Sequence, residues 1–327
     1  MSVYTHLNAN DIHGLLSRYD IGDLDSFKGI EGGVENTNYF VTTRTDEQQR
    51  RYVLTLFEYL PAATLPFFID FTDELSRGGL AVPAPVRDMQ GEALHTLKNK
   101  PCLLTPCFPG KHPSRLTADH CQQVGHLLAQ IHTIGQQSQL HQENQRGTTW
   151  LSQQVKRLEK LLPPDEASFM SSQWQQIVKE LGSFTNLPGG LIHGDLFHDN
   201  VLIKNGKITG VIDFYNACHD FLLYDLAVTV NDWCIQPDLE LDPDRLQALI
   251  TAYAAVRPFT DQEKQAWPLI LRLASFRFWI SRLITFVHPE QEADSAHQQS
   301  LVRNYKDPAE FRDILQLRTR NPLPPLT

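Results

Sequence analysis

The stretch HGDLFHDNVLIKNGKITGVIDF, residues 193–214, decides how this chain is read. It follows an apolar pair, Leu191-Ile192, that reads as the end of a strand, and it sets Asp195 and Asn200 on one short loop. Val201–Lys204 then reads as a second strand, Asn205-Gly206 as the tight turn of a two-residue hairpin, and Ile208–Ile212 as the returning strand. The return delivers Asp213 beside the loop, so three oxygen-bearing side chains converge. A hard divalent cation such as Mg²⁺ takes few protein oxygens of this kind and fills its shell with phosphate oxygens. One further carboxylate can orient or deprotonate a hydroxyl. A lone His-x-Asp is most often a surface turn, and the crowding of His193, Asp195, His198 and Asp199 also suits a hydrolytic metal cluster. Neither of those readings requires the hairpin or an Asp at its end.

Around this β island the second part of the chain is helical. Thr117 and Asp119 open a long helix with Cys121, Val124, Leu127, Leu128 and Ile131 on one face. Two amphipathic segments fill residues 151–181, broken by LLPPDE, and two more cover 243–256 and 261–287. The tail, NPLPPLT, is expected to fray. The first part is β-rich. After a helix capped by Asn10 or Asp11, carrying Ile12, Leu15, Leu16 and Tyr19, the runs NYFVTT (38–43) and RYVLTLFE (51–58) form a hairpin. A helix over 65–77 closes at Gly78-Gly79, and GEALHTL and KPCLLTPCF give further strands. The expected organisation is α+β: a small antiparallel lobe over residues 1–104 and a mostly helical lobe over 105–327.

Composition narrows the partners. In 327 residues, 29 Lys and Arg face 38 Asp and Glu, a formal charge of −9, with no basic cluster to offset it. Such a chain has no electrostatic footprint for nucleic acid or an anionic membrane. Its five cysteines form no C-x-x-C pair, which fits a reducing cytoplasm. No leader-like start or long apolar run is read. The expected partner is a small molecule, with the chain a monomer or small homo-oligomer.

The order of catalytic Asp, metal-binding Asn, hairpin and metal-binding Asp is that of ATP-dependent kinases. It assigns Asp195 as catalytic base and Asn200 and Asp213 as Mg²⁺ ligands. HGDLFHDNVL with VIDF resembles the aminoglycoside phosphotransferase and choline kinase superfamily, which implies a protein-kinase-like two-lobe fold. The resemblance makes His193 and Asp225, in LLYDLAVTV, supports of the catalytic loop. The stretch GIEGGVENTNYFV then suits a nucleotide-covering loop, with Gly32, Gly33 and Asn36 near the phosphates. LLTPCFPG (103–110) is the expected hinge, with Leu104, Thr105 and Cys107 beside the adenine. One departure stands out: Thr55 or a neighbour fills the strand position where kinases carry Lys, which leaves Glu74 without its usual partner. Arg51 or Lys28 is a candidate replacement.

A closer resemblance spans nearly the whole chain. GIEGGVENTNYFVTT, RYVLTLFE, GLAVPAPV, NQRGTTWL, HGDLFHDNVL, FYNACHDFLLYDLAVTVNDWC and LRLASFRFWISRL look like bacterial homoserine kinases of the aminoglycoside-phosphotransferase-like type. It implies that ATP phosphorylates the side-chain hydroxyl of L-homoserine. A zwitterion needs an acid and a carboxylate receiver, for which Asp232 (beside Asn231 and Trp233), Arg277 and Arg282 are candidates. Tyr215, Asn216 and His219 are candidate pocket residues. The alternatives are a kinase of choline, ethanolamine, an aminoglycoside or hydroxylysine, and a nucleotide-binding regulatory module without turnover.

Overall fold

The structure, a computed structural model, describes residues 3–30, 36–287, 307–324 and 326. Two compact units divide the described residues, one ending at Pro109 and one starting at Gly110.

In the first unit, α1 (Ala9–Leu16) is capped two or three residues earlier than the sequence suggests. Asn8 accepts the Asp11 N–H at 3.0 Å, and the Asp11 carboxylate accepts the Asn8 N–H at 2.9 Å, a reciprocal box that satisfies two orphan donors. Five strands follow around α2 (Leu65–Arg77): β1 (Asp23–Gly29), β2 (Asn36–Arg44), β3 (Gln49–Phe57), β4 (His95–Leu97) and β5 (Lys100–Pro106). They form one antiparallel sheet in the order β1-β2-β3-β5-β4. Along β2 the residues Thr37, Tyr39, Val41 and Thr43 are buried in strict alternation, the period of a strand with one face on a core. That core joins Ile12, Leu15 and Leu16 of α1 to Val41, Leu54, Leu56 and Leu104. GEALHTL pairs only over its last three residues, and β5 runs unbroken through the expected boundary at 104.

The second unit contains α3 (Ala118–Gln137), α4 (Thr148–Leu158), α5 (Pro164–Leu181), β6 (Gly189–Ile192), β7 (Val201–Lys204), β8 (Lys207–Val211), β9 (Cys218–Phe221), α6 (Leu222–Trp233), α7 (Pro243–Val256), α8 (Asp261–Val287) and α9 (Pro308–Arg320). The strands make two antiparallel pairs, β6 with β9 and β7 with β8. Asn205 (φ 53°) and Gly206 (φ 73°) close the β7–β8 hairpin with two left-handed residues, the turn read from Asn-Gly. From Ala266 to Ile280, α8 is buried nearly all round, as befits a central helix. Pro268 lacks the N–H that would reach the Lys264 carbonyl. The Leu326 N–H takes that carbonyl at 3.2 Å, so this part of the tail is tied down rather than frayed. Close packing also sets where β6 lies. A Cβ on Gly135 of α3 would stand 2.3 Å from the Leu191 carbonyl oxygen, so only glycine lets the helix and strand approach this closely.

Candidate active site

β6 ends at Ile192 and delivers His193, Gly194 and Asp195 in succession. Gly194 has φ +78°, and a Cβ there would meet the Asn216 carbonyl oxygen at 2.6 Å. Both facts demand glycine. His193 is fully buried, and burial holds its imidazole below the ordinary pKa. Its Nε2–H donates to the Ile212 carbonyl at 3.1 Å while its Nδ1 accepts the Asp195 N–H at 3.3 Å. The neutral Nε2–H tautomer satisfies both bonds, and it links the loop to the residue before Asp213.

The same loop hangs from α6. Asp225 accepts the Gly194 N–H at 2.9 Å with one oxygen and the His193 N–H at 2.8 Å with the other. Asp232, about two turns on, accepts the His198 N–H at 2.6 Å and the His198 ring at 2.8 Å. Trp233 donates its indole N–H to the Leu196 carbonyl at 3.0 Å. Behind Asp225 stands His132 of α3, 3.1 Å away, itself 2.7 Å from the Tyr253 hydroxyl. Burial alone would raise the Asp225 pKa. His132, by hydrogen bond and charge, and the His193 N–H outweigh it and hold the carboxyl below its usual range. Sequence reading supplied Asp225 but neither His132 nor Tyr253.

Asp195 differs. Burial first, and then the charge of Asp213, push its carboxyl up to about 8 in the absence of a cation; Arg277 and Arg146 oppose this less strongly. Two carboxylates held this close call for positive charge between them. Asn200 donates Nδ2–H to the Asp195 carbonyl at 2.8 Å, which leaves its Oδ1 as an acceptor with no hydrogen bond among the described residues. Asp213 enters in the left-handed region, φ 67° and ψ 59°, a conformation costly for a residue with a side chain and typical of functional sites. The pair offers one amide and one carboxylate oxygen. Among the described residues no cluster of three or more His, Cys, Asp or Glu is built for a metal. An all-oxygen pair suits a hard cation that takes its remaining ligands from phosphate.

Beside the loop opens a cavity of about 340 Å³, lined by Arg277, Asp220, Glu143, Tyr224 and the start of α4. Arg277 is 5% exposed, lies over the Phe278 ring at 4.2 Å, and makes no hydrogen bond or ion pair among the described residues. Arg282 instead pairs with Glu310 and covers Phe311, and it does not line this cavity. Asp232 is likewise committed to His198. Asn216 accepts from Arg146 at 3.4 Å and donates to Asp195 at 3.5 Å, which makes Arg146 a neighbour of the loop that the sequence reading passed over. Tyr215 follows Phe214 in the same short turn, and burial and Asp213 raise its phenol pKa. Gly32 and Gly33 lie outside the described residues. Asn36 opens β2. At the expected hinge, the Leu104 carbonyl accepts the Val86 N–H at 2.7 Å and keeps a second lone pair, while the Cys107 N–H donates to the Arg51 carbonyl at 3.1 Å and is not left for a base edge. Arg51 lies over Phe40, and Thr55 hydrogen-bonds Asn38 at 2.7 Å.

The sequence profile described as the phosphotransferase enzyme family matches residues 26–259. This chain belongs to that family. The phosphotransferase is 43% identical to a homoserine kinase of Pseudomonas aeruginosa over 97% of its own length and 96% of that protein's. It is 40% identical to a homoserine kinase of Methylobacillus flagellatus over 97% and 95%. Among solved structures, amicoumacin kinase hAmiN in complex with AMP-PNP and Ca²⁺ superposes on this phosphotransferase with a TM-score of 0.70 at 15% identity, covering 98% of this chain and 96% of that one. The protein-kinase-like α+β fold expected from the sequence is thereby borne out.

Proposed function

We propose that this phosphotransferase moves the γ-phosphoryl group of ATP to the side-chain hydroxyl of L-homoserine, giving ADP and O-phospho-L-homoserine. The observation that carries the acceptor is the near full-length similarity to homoserine kinases. Arg277 supports it, since a buried guanidinium facing a cavity calls for an anion and a substrate carboxylate is one.

In this reading Asp195 receives or orients the acceptor's hydroxyl proton. Its raised pKa in the cation-free protein means that positive charge arriving nearby favours its basic form at neutral pH. Asn200 and Asp213 would hold Mg²⁺, which when bound would neutralise charge on the transferring phosphoryl group. Asp225 and His193 fix the loop so that Asp195 needs no reorganisation. Gly32, Gly33, Asn36, Leu104, Thr105 and Cys107 are assigned to the nucleotide, and residues 1–104 to the nucleotide-covering lobe. The backbone bond of the Cys107 N–H leaves contact there to the Cys107 side chain or to neighbouring groups. The five free thiols support the cytoplasmic location expected from the sequence.

The test is ADP release from the purified protein with ATP and Mg²⁺ over L-homoserine, choline, ethanolamine, hydroxylysine and kanamycin. Turnover is expected with homoserine and not with choline or kanamycin. If choline or kanamycin turns over while homoserine is inert, the acceptor is wrong and only the kinase reading survives.

A further inference from the structure

The cavity beside the catalytic loop has a cationic wall made from two unrelated parts of the chain. One is Arg277, 5% exposed, with no hydrogen bond or ion pair among the described residues. The other is the start of α4. Its cap residue Gly147 has no side chain to offer, and the first bond of the helix runs from the Leu151 N–H to the Gly147 carbonyl at 3.0 Å. The N–H groups of Thr148, Thr149 and Trp150 therefore have no partner among the described residues. A helix start in that condition presents aligned donors and the positive end of the macrodipole. Gly147, Thr148, Thr149 and Arg277 all line the same cavity. Asp220 lines it too; its carboxylate accepts from Asn144 and from the Phe221 N–H at 2.7 Å.

We propose that this cavity binds the α-amino-acid head of the acceptor, its carboxylate seated between Arg277 and the N-terminus of α4 and its ammonium facing Asp220. The proposal rests on the homoserine reading and deepens it. The carboxylate supplies what both cationic parts lack: two oxygens match the guanidinium fork, and their outer lone pairs meet backbone donors. The ammonium answers the half-buried carboxylate of Asp220 in the wall. Asp195 lies within the electrostatic reach of Arg277, so a substrate held by its head extends its hydroxyl toward the loop. An amino alcohol without the carboxylate leaves Arg277 buried and unpaired, which is a heavier loss than a missing methylene.

L-2-aminobutyrate, which has the head group and no hydroxyl, separates recognition from turnover. Its binding is measured by titration calorimetry on the full chain, with AMP-PNP and Mg²⁺ present and absent. Arg277→Met should weaken it at least thirtyfold. Thr148→Pro removes only one backbone donor. Proline is tolerated at the first helical position, and Gly147 is already extended, φ −75° and ψ −167°, as the residue before proline must be. This variant should weaken binding roughly threefold to tenfold with the thermal midpoint within a few degrees of wild type. Should Arg277→Met fail to fold, Thr148→Pro decides. Wild-type affinity in the folded variants, or no binding by the wild type, overturns the head-group site. Turnover of homoserine alongside that result leaves the activity standing. Lost binding in the variants with homoserine inert does the reverse.

Discussion

Asp195 sits where its charge is unwelcome until a cation joins it, and this has two consequences. Asp195→Asn should lower kcat by more than tenfold, measured by coupled ADP release, with nucleotide affinity nearly kept; a smaller loss, under about 1.4 kcal/mol, defeats the base assignment. The second concerns the cation-free protein. A carboxyl raised from 3.8 to about 8 binds its proton more tightly folded than unfolded. Its stabilising contribution is therefore full below pH 3.8 and is lost as pH rises toward 8. Asp195→Asn should raise the melting temperature of the chelator-treated protein, and by more at pH 8.5 than at pH 5. Mg²⁺ with nucleotide should shrink that contrast, because nearby positive charge favours the ionised form. An equal gain at both pH values would refute the raised pKa. The convergence of Asp195, Asn200 and Asp213 was legible in the sequence because it is local: one loop and one hairpin fix the spacing. His132 and Arg146 were not, since their partners Asp225 and Asn216 lie 93 and 70 positions away, and only the fold brings them together.

At the scale of the element, α6 acts as a rail for the catalytic loop. Asp225, Asp232 and Trp233 fall on a common side and each holds a different loop residue. Asp225→Asn weakens two charge-assisted bonds and leaves His132 without its carboxylate. It should cost about 3 kcal/mol or more of stability by urea unfolding. Because the folded pKa of Asp225 is depressed, its contribution holds above 3.8 and fades as pH falls through the folded value; the gap between variant and wild type should narrow in acid. Trp233→Phe leaves the buried Leu196 carbonyl unpaired and should cost about 1–3 kcal/mol, with kcat falling more than KM for ATP. The long helices were readable from periodicity, and α2 and α8 have the bounds that the sequence suggests. β1 and β9 were not. DLDSFKG is a half-exposed edge strand with two large apolar residues, and CHDF is four residues long, so neither carries a pattern strong enough to read without its partner strand.

The molecule as a whole keeps two separate cores. Leu54 belongs to the sheet of the first unit and Ile314 to α9 of the second, both fully buried. Leu54→Ala and Ile314→Ala should each cost about 2–5 kcal/mol, and the double variant should equal their sum within about 0.5 kcal/mol, since neither shares a partner with the other. A larger coupling by chemical denaturation would mean that the two cores are energetically one. The division into a β-rich and a helical part was visible in composition and periodicity. The place of division was not, because β5 continues the sheet beyond the point where the apolar pattern changes. Among the described residues no helix is long and apolar enough to cross a membrane. The approach of Gly135 to the Leu191 carbonyl also bears on how this protein evolves. Random variation sampled under selection for activity should spare position 135 almost as strictly as Asp195, although Gly135 meets no substrate. A methyl group there pushes on the strand that carries the loop, and the lineage cannot drift at that site without re-aiming its chemistry.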